Sequence, residues 1–313
     1  PYVGAIAWVQ LLNPSVGYLN QILKWAFSLQ QAPFNIYTFG GLAWVLTLFY
    51  SPFAFITISR AMEKMDPTLE EAARVSVASP LKTLIDVTLP LMAPSILAGG
   101  LLVFIAAGSC FGIPAIVGMP GNIEVMTTRI VTYIYMGDDK GIRDATALAA
   151  SLMIIANSLL FFMTWMLGRK DYTTISGKST RPNMVELGKW KWPAFIGVGL
   201  YATIAVIIPL FSILVTSLLK SMSKPVGFDN LSFESWIPVL TSAQYMESIW
   251  NSVLYAVIAA TVGTILSVFI AYLSVKTSVR GRSLPDLLTI IGGSTPSIVI
   301  AVALVITISG NCG

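Results

Sequence analysis

Apolar positions along this chain gather into long runs rather than recurring at the spacing of a half-buried helix or strand. The runs cover roughly 38–60, 91–117, 144–168, 193–219, 246–275 and 285–308. Each is near the ~20 residues a helix needs to cross a ~30 Å hydrocarbon core. Residues 1–12, from Pro1 to Leu12, read as the tail of a further run. The pattern predicts an all-α fold, a polytopic transmembrane helical bundle of about six full spans plus a partial one.

Composition agrees with a lipid solvent. Of 313 residues, 55% are hydrophobic and 11% charged, against about 25% charged in a soluble domain. Pro1 is not an initiator methionine and Gly313 stands just past a run, so the sequence reads as a fragment, and a leader could have been lost from it. Cys110 lies inside a run and Cys312 at the end, which makes a disulfide framework an unsuitable reading. Histidine is absent, which removes the commonest zinc ligand and the commonest general base.

The net charge of +4 reflects topology. With residues 61–90 placed in the cytoplasm, thirteen of the nineteen Lys and Arg residues fall in cytoplasmic segments, as the positive-inside rule requires. The same placement keeps ionised side chains away from mid-span, where each would cost several kcal/mol. Trp190 and Trp192 interleave with Lys189 and Lys191 just before a span, an anchoring pattern for a membrane interface. Interleaved aromatics and cations also suit single-stranded nucleic acid, but the apolar run that follows at once favours lipid, and no nucleic-acid partner is expected.

The chain divides into two membrane parts. Residues 1–168 read as the C-terminal part of a first half, 169–192 as a basic cytoplasmic linker broken by Gly177, Ser179, Pro182 and Gly188, and 193–313 as the N-terminal part of a second half. Pro1 and the apolar residues after it resemble Pro296 and its successors in pattern, which suggests two repeat-related halves.

One segment differs from its surroundings. Met65 to Arg74 is charged, favours helix and lies between two runs. Asp66 suits an N-cap, Pro67 the first helical position, and Glu70 and Glu71 the positive end of the dipole. Ser79-Pro80 then ends this helix and opens another toward Leu89-Pro90. At 100° per residue Leu69, Ala72, Ala73 and Ser76 share one face, and Glu70, Glu71 and Arg74 the other. Amphipathicity leaves two readings open: a hairpin packed on its own membrane domain with Glu70 and Arg74 as an (i, i+4) pair, or a short helix offered to a groove on a soluble partner.

The spacing carries more. Glu71-Ala72-Ala73 is followed by Val77, Val87 and Leu89-Pro90. This resembles the cytoplasmic loop of ABC importer permeases, written E-A-A, three residues, G, nine residues, I, one residue, L-P. Val77 stands where that family has glycine, and a β-branched residue disfavours the positive φ that glycine allows. The chain further resembles the double-length permeases of the ferric-iron type in Tyr2 to Trp8, Gly17 to Asn20, Asp66 to Pro94, Gly177-Lys178 and Leu187 to Trp190.

The resemblance implies a multi-pass permease of the bacterial inner membrane. Its coupling loop at 61–90 would contact cytoplasmic ATPase subunits through Asp66, Glu70, Glu71, Ala72, Ala73, Arg74, Val77, Leu89 and Pro90. A periplasmic binding protein would deliver the solute, ferric iron first, with aminoethylphosphonate, thiamine and polyamines as alternatives. ATP and magnesium would be bound by the partner, since this chain has no phosphate loop of the form G-x-x-x-x-G-K-[ST]. No cofactor, metal site or catalytic residue is therefore assigned to the chain itself.

Ser109, Cys110 and Asn157 are candidate pore-lining residues, although small residues in membrane helices equally serve close packing. Cys110, with no histidine or carboxylate beside it in sequence, reads more readily as a small buried hydrophobe than as a soft-metal ligand. The segment 118–143, with Glu124, Asp138 and Asp139, reads either as a dock for the binding protein or as a solvated loop. An intramembrane enzyme would need reactive groups at depth, and neither H-E-x-x-H nor G-x-S-x-G occurs. An ion-coupled secondary transporter would place an ionisable residue within a span, and the runs hold none near their centres.

Overall fold

The computed structural model describes residues 1–63, 65, 80–168, 188–221, 227–277 and 295–309. In chain order the helices are α1 (Tyr2–Leu12), α2 (Tyr18–Phe27), α3 (Phe39–Glu63) and α4 (Pro80–Thr83), which continues through a π-helical turn, Leu84–Thr88, into α5 (Leu89–Gly108). There follow α6 (Met126–Met136), α7 (Asp139–Gly168), α8 (Lys191–Ala202), α9 (Ile208–Ser217), α10 (Trp236–Thr241), α11 (Ala243–Lys276) and α12 (Ser297–Ser309).

Among the described residues, five helical stretches are long and apolar enough to cross a membrane: Phe39–Glu63, Leu84–Gly108, Asp139–Met163, Gly188–Ser217 and Ala243–Lys276. The fold is thus the helical transmembrane bundle that the apolar runs predict. The run at 285–308 is described from residue 295 onward, as the thirteen-residue α12. Both proline-led segments, after Pro1 and after Pro296, are helical.

The structure corrects two expectations. The predicted run 91–117 is not one helix, because α5 stops at Gly108. Pro114 has no N–H to offer the carbonyl four residues back, which belongs to Cys110. That carbonyl is taken instead by the Thr127 hydroxyl at 2.9 Å, and the chain re-enters helix at Gly112–Ile113, just ahead of the π turn Pro114–Gly118. Residues 118–143 are not a solvated loop either. They contain α6, whose Ile130 packs with Ala145, Ala149 and Leu152 of α7 and with Val302 of α12.

That contact is built from the sequence in a simple way. Ala145, Ala149, Leu152 and Ala156 recur at three and four residues on one face of α7 and are all buried, and small side chains let membrane helices approach closely. The turn between α6 and α7 is equally legible. Gly137 closes α6 at φ 71°, and Asp138 then caps α7 by accepting the Gly141 N–H at 2.8 Å.

The chain forms two compact units. One comprises Pro1–Ala5, Ile36–Ile207 and Thr295–Gly313; the other comprises Ile6–Asn35 and Ile208–Ser294. In the second, Ser212 of α9 donates to the Ala7 carbonyl at 3.3 Å. The Thr216 hydroxyl gives its proton to the Ser212 carbonyl at 2.8 Å, so Tyr18 is the donor in the 2.7 Å bond between Tyr18 and Thr216.

Three π turns occur among the described residues, and each ends two residues before a proline: Leu84–Thr88 before Pro90, Pro114–Gly118 before Pro120, and Thr203–Ile207 before Pro209. A proline ring clashes with the carbonyl four residues earlier and cannot bond to it. Widening the preceding turn moves that carbonyl away from the ring, and such single turns recur at functional sites.

Candidate functional site

The segment 61–90 is entered from α3 and left through α4, the first π turn and α5. Asp66, Glu70, Glu71, Ala72, Ala73, Arg74 and Val77 lie outside the described residues. Leu89 and Pro90 are described: both are exposed, at the point where the π turn passes into α5. The helix predicted to open at Pro80 does so, and it continues through Leu89-Pro90 into a membrane span. The reason is the π turn, in which Leu89 N–H reaches back to the Leu84 carbonyl. Thr88 at its end is buried, and its hydroxyl donates to the Thr83 carbonyl at 3.5 Å.

The two helices that carry the segment are packed on each other. A Cβ placed on Gly99 of α5 would stand 3.3 Å from the Ala54 Cα of α3 and 3.6 Å from its Cβ. Backbone therefore meets backbone, an approach that small residues such as glycine and alanine permit. Leu42 and Val45 of α3 and Met92 and Ala98 of α5 are buried alongside. Pro52 interrupts the α3 ladder by removing a bond to the Leu48 carbonyl. The Ser51 hydroxyl sits 3.4 Å from that carbonyl and is also hydrogen-bonded to the Tyr201 hydroxyl.

The pore candidates lie as follows. Ser109 follows the end of α5 and is half-buried, while Cys110 is 6% exposed. Asn157 in α7 donates from its amide to the Met153 carbonyl at 2.9 Å, one turn back. Among the described residues no group of three or more Cys, Asp or Glu could hold a metal ion. In the segment 118–143, Arg129 pairs with Glu124 at 2.7 Å and lies over the Tyr133 ring at 5.2 Å. The Tyr133 hydroxyl first, and then Glu124, hold its guanidinium above its ordinary pKa.

Sequence reasoning missed the Gly99–Ala54 approach and the capture of the Cys110 carbonyl by Thr127. The first had a signal in Gly99-Gly100 within an apolar run. The second had one in Pro114, which cannot donate to the carbonyl four residues back.

Residues 6–170, more than half of the chain, match the family described as the binding-protein-dependent transport system inner membrane component. The chain belongs to this family. The matched region of the permease runs from α1 past the end of α7 and contains the whole segment 61–90. The permease is also 26% identical over 98% of its length to the ferric transport system permease protein FbpB of Actinobacillus pleuropneumoniae. It is similar at 26% identity over 98% of its length to FbpB 1 of Haemophilus influenzae. A shorter stretch of 124 residues, 39% of the chain, is 34% identical to the spermidine/putrescine permease protein PotB of Escherichia coli. The chain spans less than half the length of the two FbpB relatives, 44% and 48%. No solved structure matches it.

Proposed function

We propose that this permease forms part of the membrane pathway of an ATP-driven importer of ferric iron, and that segment 61–90 is its cytoplasmic coupling loop. The observation that carries this reading is the spacing of Glu71-Ala72-Ala73 and Leu89-Pro90 between two helices packed backbone to backbone at Gly99 and Ala54. Of a separate pair of ATPase subunits, one grips this loop. Glu70, Glu71 and Arg74 supply its polar contacts, and Ala72 and Ala73 permit the close fit. A periplasmic binding protein delivers the solute from the other side of the inner membrane.

Movement follows from packing. Because α3 and α5 touch along their backbones, a push on the loop shifts them together rather than bending one past the other. A displaced helix pair of this kind is the rigid-body element that converts between inward-open and outward-open arrangements. The two halves to which 1–168 and 193–313 contribute, joined by the linker 169–192, would rock about the solute path. Ser109 and Asn157 are its proposed lining residues, whereas Cys110, 6% exposed, is assigned to packing.

The chain-long similarity to two FbpB proteins supports iron over other solutes. The higher but shorter similarity to PotB supports a polyamine as the second reading. The test is reconstitution of the full permease with its ATPase and binding protein in proteoliposomes. ATPase stimulation is expected with wild type and lost with Glu71→Lys and Ala73→Trp combined, and radiolabelled ferric iron, not spermidine, should enter. Full stimulation by the double variant would overturn the loop assignment. Uptake of spermidine alone would replace iron with the polyamine reading.

A further inference from the structure

Helix α2 faces its surroundings the wrong way round for a helix in water. Its polar Asn20 is 1% exposed. The Asn20 amide nitrogen has the carbonyls of Leu12, Asn13 and Phe34 at 3.2, 3.0 and 2.8 Å, and its oxygen accepts the Phe34 N–H at 3.1 Å. On the opposite side of the helix Ile22, Trp25 and Ala26 form one outward stripe. Ile22 is 59% and Trp25 86% exposed. Phe27, Leu29 and Phe34 extend the exposed apolar surface beyond that stripe.

The clip makes this orientation a property of the fold. Asn20 ties the first turn of α2 both to the end of α1 and to Phe34, so the helix cannot roll without stranding buried backbone groups. From Phe34 five residues lead to Phe39, where the span α3 begins. Before α2, the turn Asn13 to Gly17 is held by Asn13 Oδ1, which accepts the N–H groups of Ser15 and Val16 at 2.8 and 3.2 Å. The helix is thus tethered within a few residues of apolar helix on both sides, and at ten residues it is too short to cross a bilayer itself.

Charge excludes an aqueous surface. Lys24 is the only charged side chain from Tyr2 to Ser59, whereas surfaces facing water carry about 25–35% charged residues. We infer that α2 is an in-plane anchor whose Ile22, Trp25 and Ala26 face is buried in the phospholipid headgroup and upper acyl region. Trp25 takes the place of an interfacial belt residue. Lys24, next to it, extends its ammonium to lipid phosphates while its methylenes stay against apolar surface. The inference does not depend on which solute the permease carries.

The experiment uses the full permease with Cys110 and Cys312 replaced by Ser and one cysteine introduced, Trp25→Cys or, independently, Ala26→Cys. Each thiol carries an environment-sensitive fluorophore in vesicles of phosphatidylcholine with phosphatidylglycerol. Quenching is compared between lipid spin-labelled near the headgroup, lipid spin-labelled near the chain end, and aqueous iodide. Both sites are expected to be quenched several-fold more by the headgroup-proximal spin label than by either alternative. Dominant iodide quenching, relieved by the binding protein, would make the face a protein dock and overturn the inference. Quenching by none of the three would mean that other helices cover it, which overturns it as well.

Discussion

Gly99 of α5 lies against Ala54 of α3 so closely that a Cβ on the glycine would stand 3.3 Å from the alanine Cα. Its neighbour Gly100 has nothing within 4 Å of the same position. The pair offers a controlled test of whether the helices flanking segment 61–90, the proposed coupling loop, act as one body. Gly99→Leu must push α3 from α5, and overpacking of this kind costs about 1–3 kcal/mol. The variant is expected to lower the thermal midpoint in detergent and to weaken loop-transmitted ATPase stimulation. Gly100→Leu should do neither. Equal behaviour of the two variants would show that the contact transmits nothing.

Asn20 supports a second prediction. Asn20→Leu keeps the bulk of the side chain but strands the Phe34 N–H and the carbonyls it now satisfies. Each buried group left unpaired costs about 1–3 kcal/mol. The thermal midpoint should therefore fall more than it does for Gln21→Leu, since Gln21 is exposed and its amide donates to the Val16 carbonyl at the surface. With the clip gone, the headgroup spin-label quenching at position 25 should also decline, because nothing then fixes the face of α2. Unchanged stability would remove Asn20 as the determinant of that orientation.

Much of this architecture is legible without coordinates, and the boundary of legibility has physical causes. Runs such as 38–60 and 246–275 announce their helices because hydrocarbon excludes any other backbone solution. Length alone, however, makes 91–117 look like one span. What divides it is the Cys110 carbonyl stranded by Pro114 and its rescue by Thr127, a partner seventeen residues away. Hydropathy is blind to such a bond. The segment 118–143 misleads for the related reason that Asp138 and Asp139 read as solvated, while Asp138 caps α7 and Ile130 fills a core. The loop motif is legible from spacing, and the residues that carry most of it lie outside the described ones.

The π turn ahead of Pro90 yields a third prediction. Proline forces the widened turn Leu84–Thr88 by denying Asp86 its ordinary helical partner. Pro90→Ala restores that donor, so the stretch from Pro80 to Gly108 can close into one regular helix. Thermal stability should hold or rise, while ATPase stimulation in proteoliposomes should fall, because the turn between loop and span has been reset. A fall in both would mean instead that Pro90 matters only for folding.

Cys110 separates packing from solute contact. It is 6% exposed, and its carbonyl is held by the buried Thr127 hydroxyl. In a Cys312→Ser permease, its reaction with a maleimide should be at least about tenfold slower than in denaturant, as expected of a thiol reached only through opening. Thr127→Ala frees the Cys110 carbonyl and should accelerate labelling. Rapid labelling of the resting permease would instead place Cys110 on a water-filled path, and acceleration only during ATP turnover would place it on the transport pathway.

The last prediction concerns Val77, which occupies the glycine position of the family loop and lies outside the described residues. A β-branched residue with positive φ is strongly disfavoured, so a loop that needed the left-handed conformation there would have to hold Val77 under strain. The simpler consequence of the substitution is that this loop turns without it. Val77→Gly should then leave coupled transport roughly unchanged, with only a small loss of stability, about 0.5–1 kcal/mol, from added chain entropy if the position is helical. The measurement is solute uptake per ATP hydrolysed in proteoliposomes. A large rise in coupled ATPase activity would show that valine strains the loop and that the glycine conformation is the competent one.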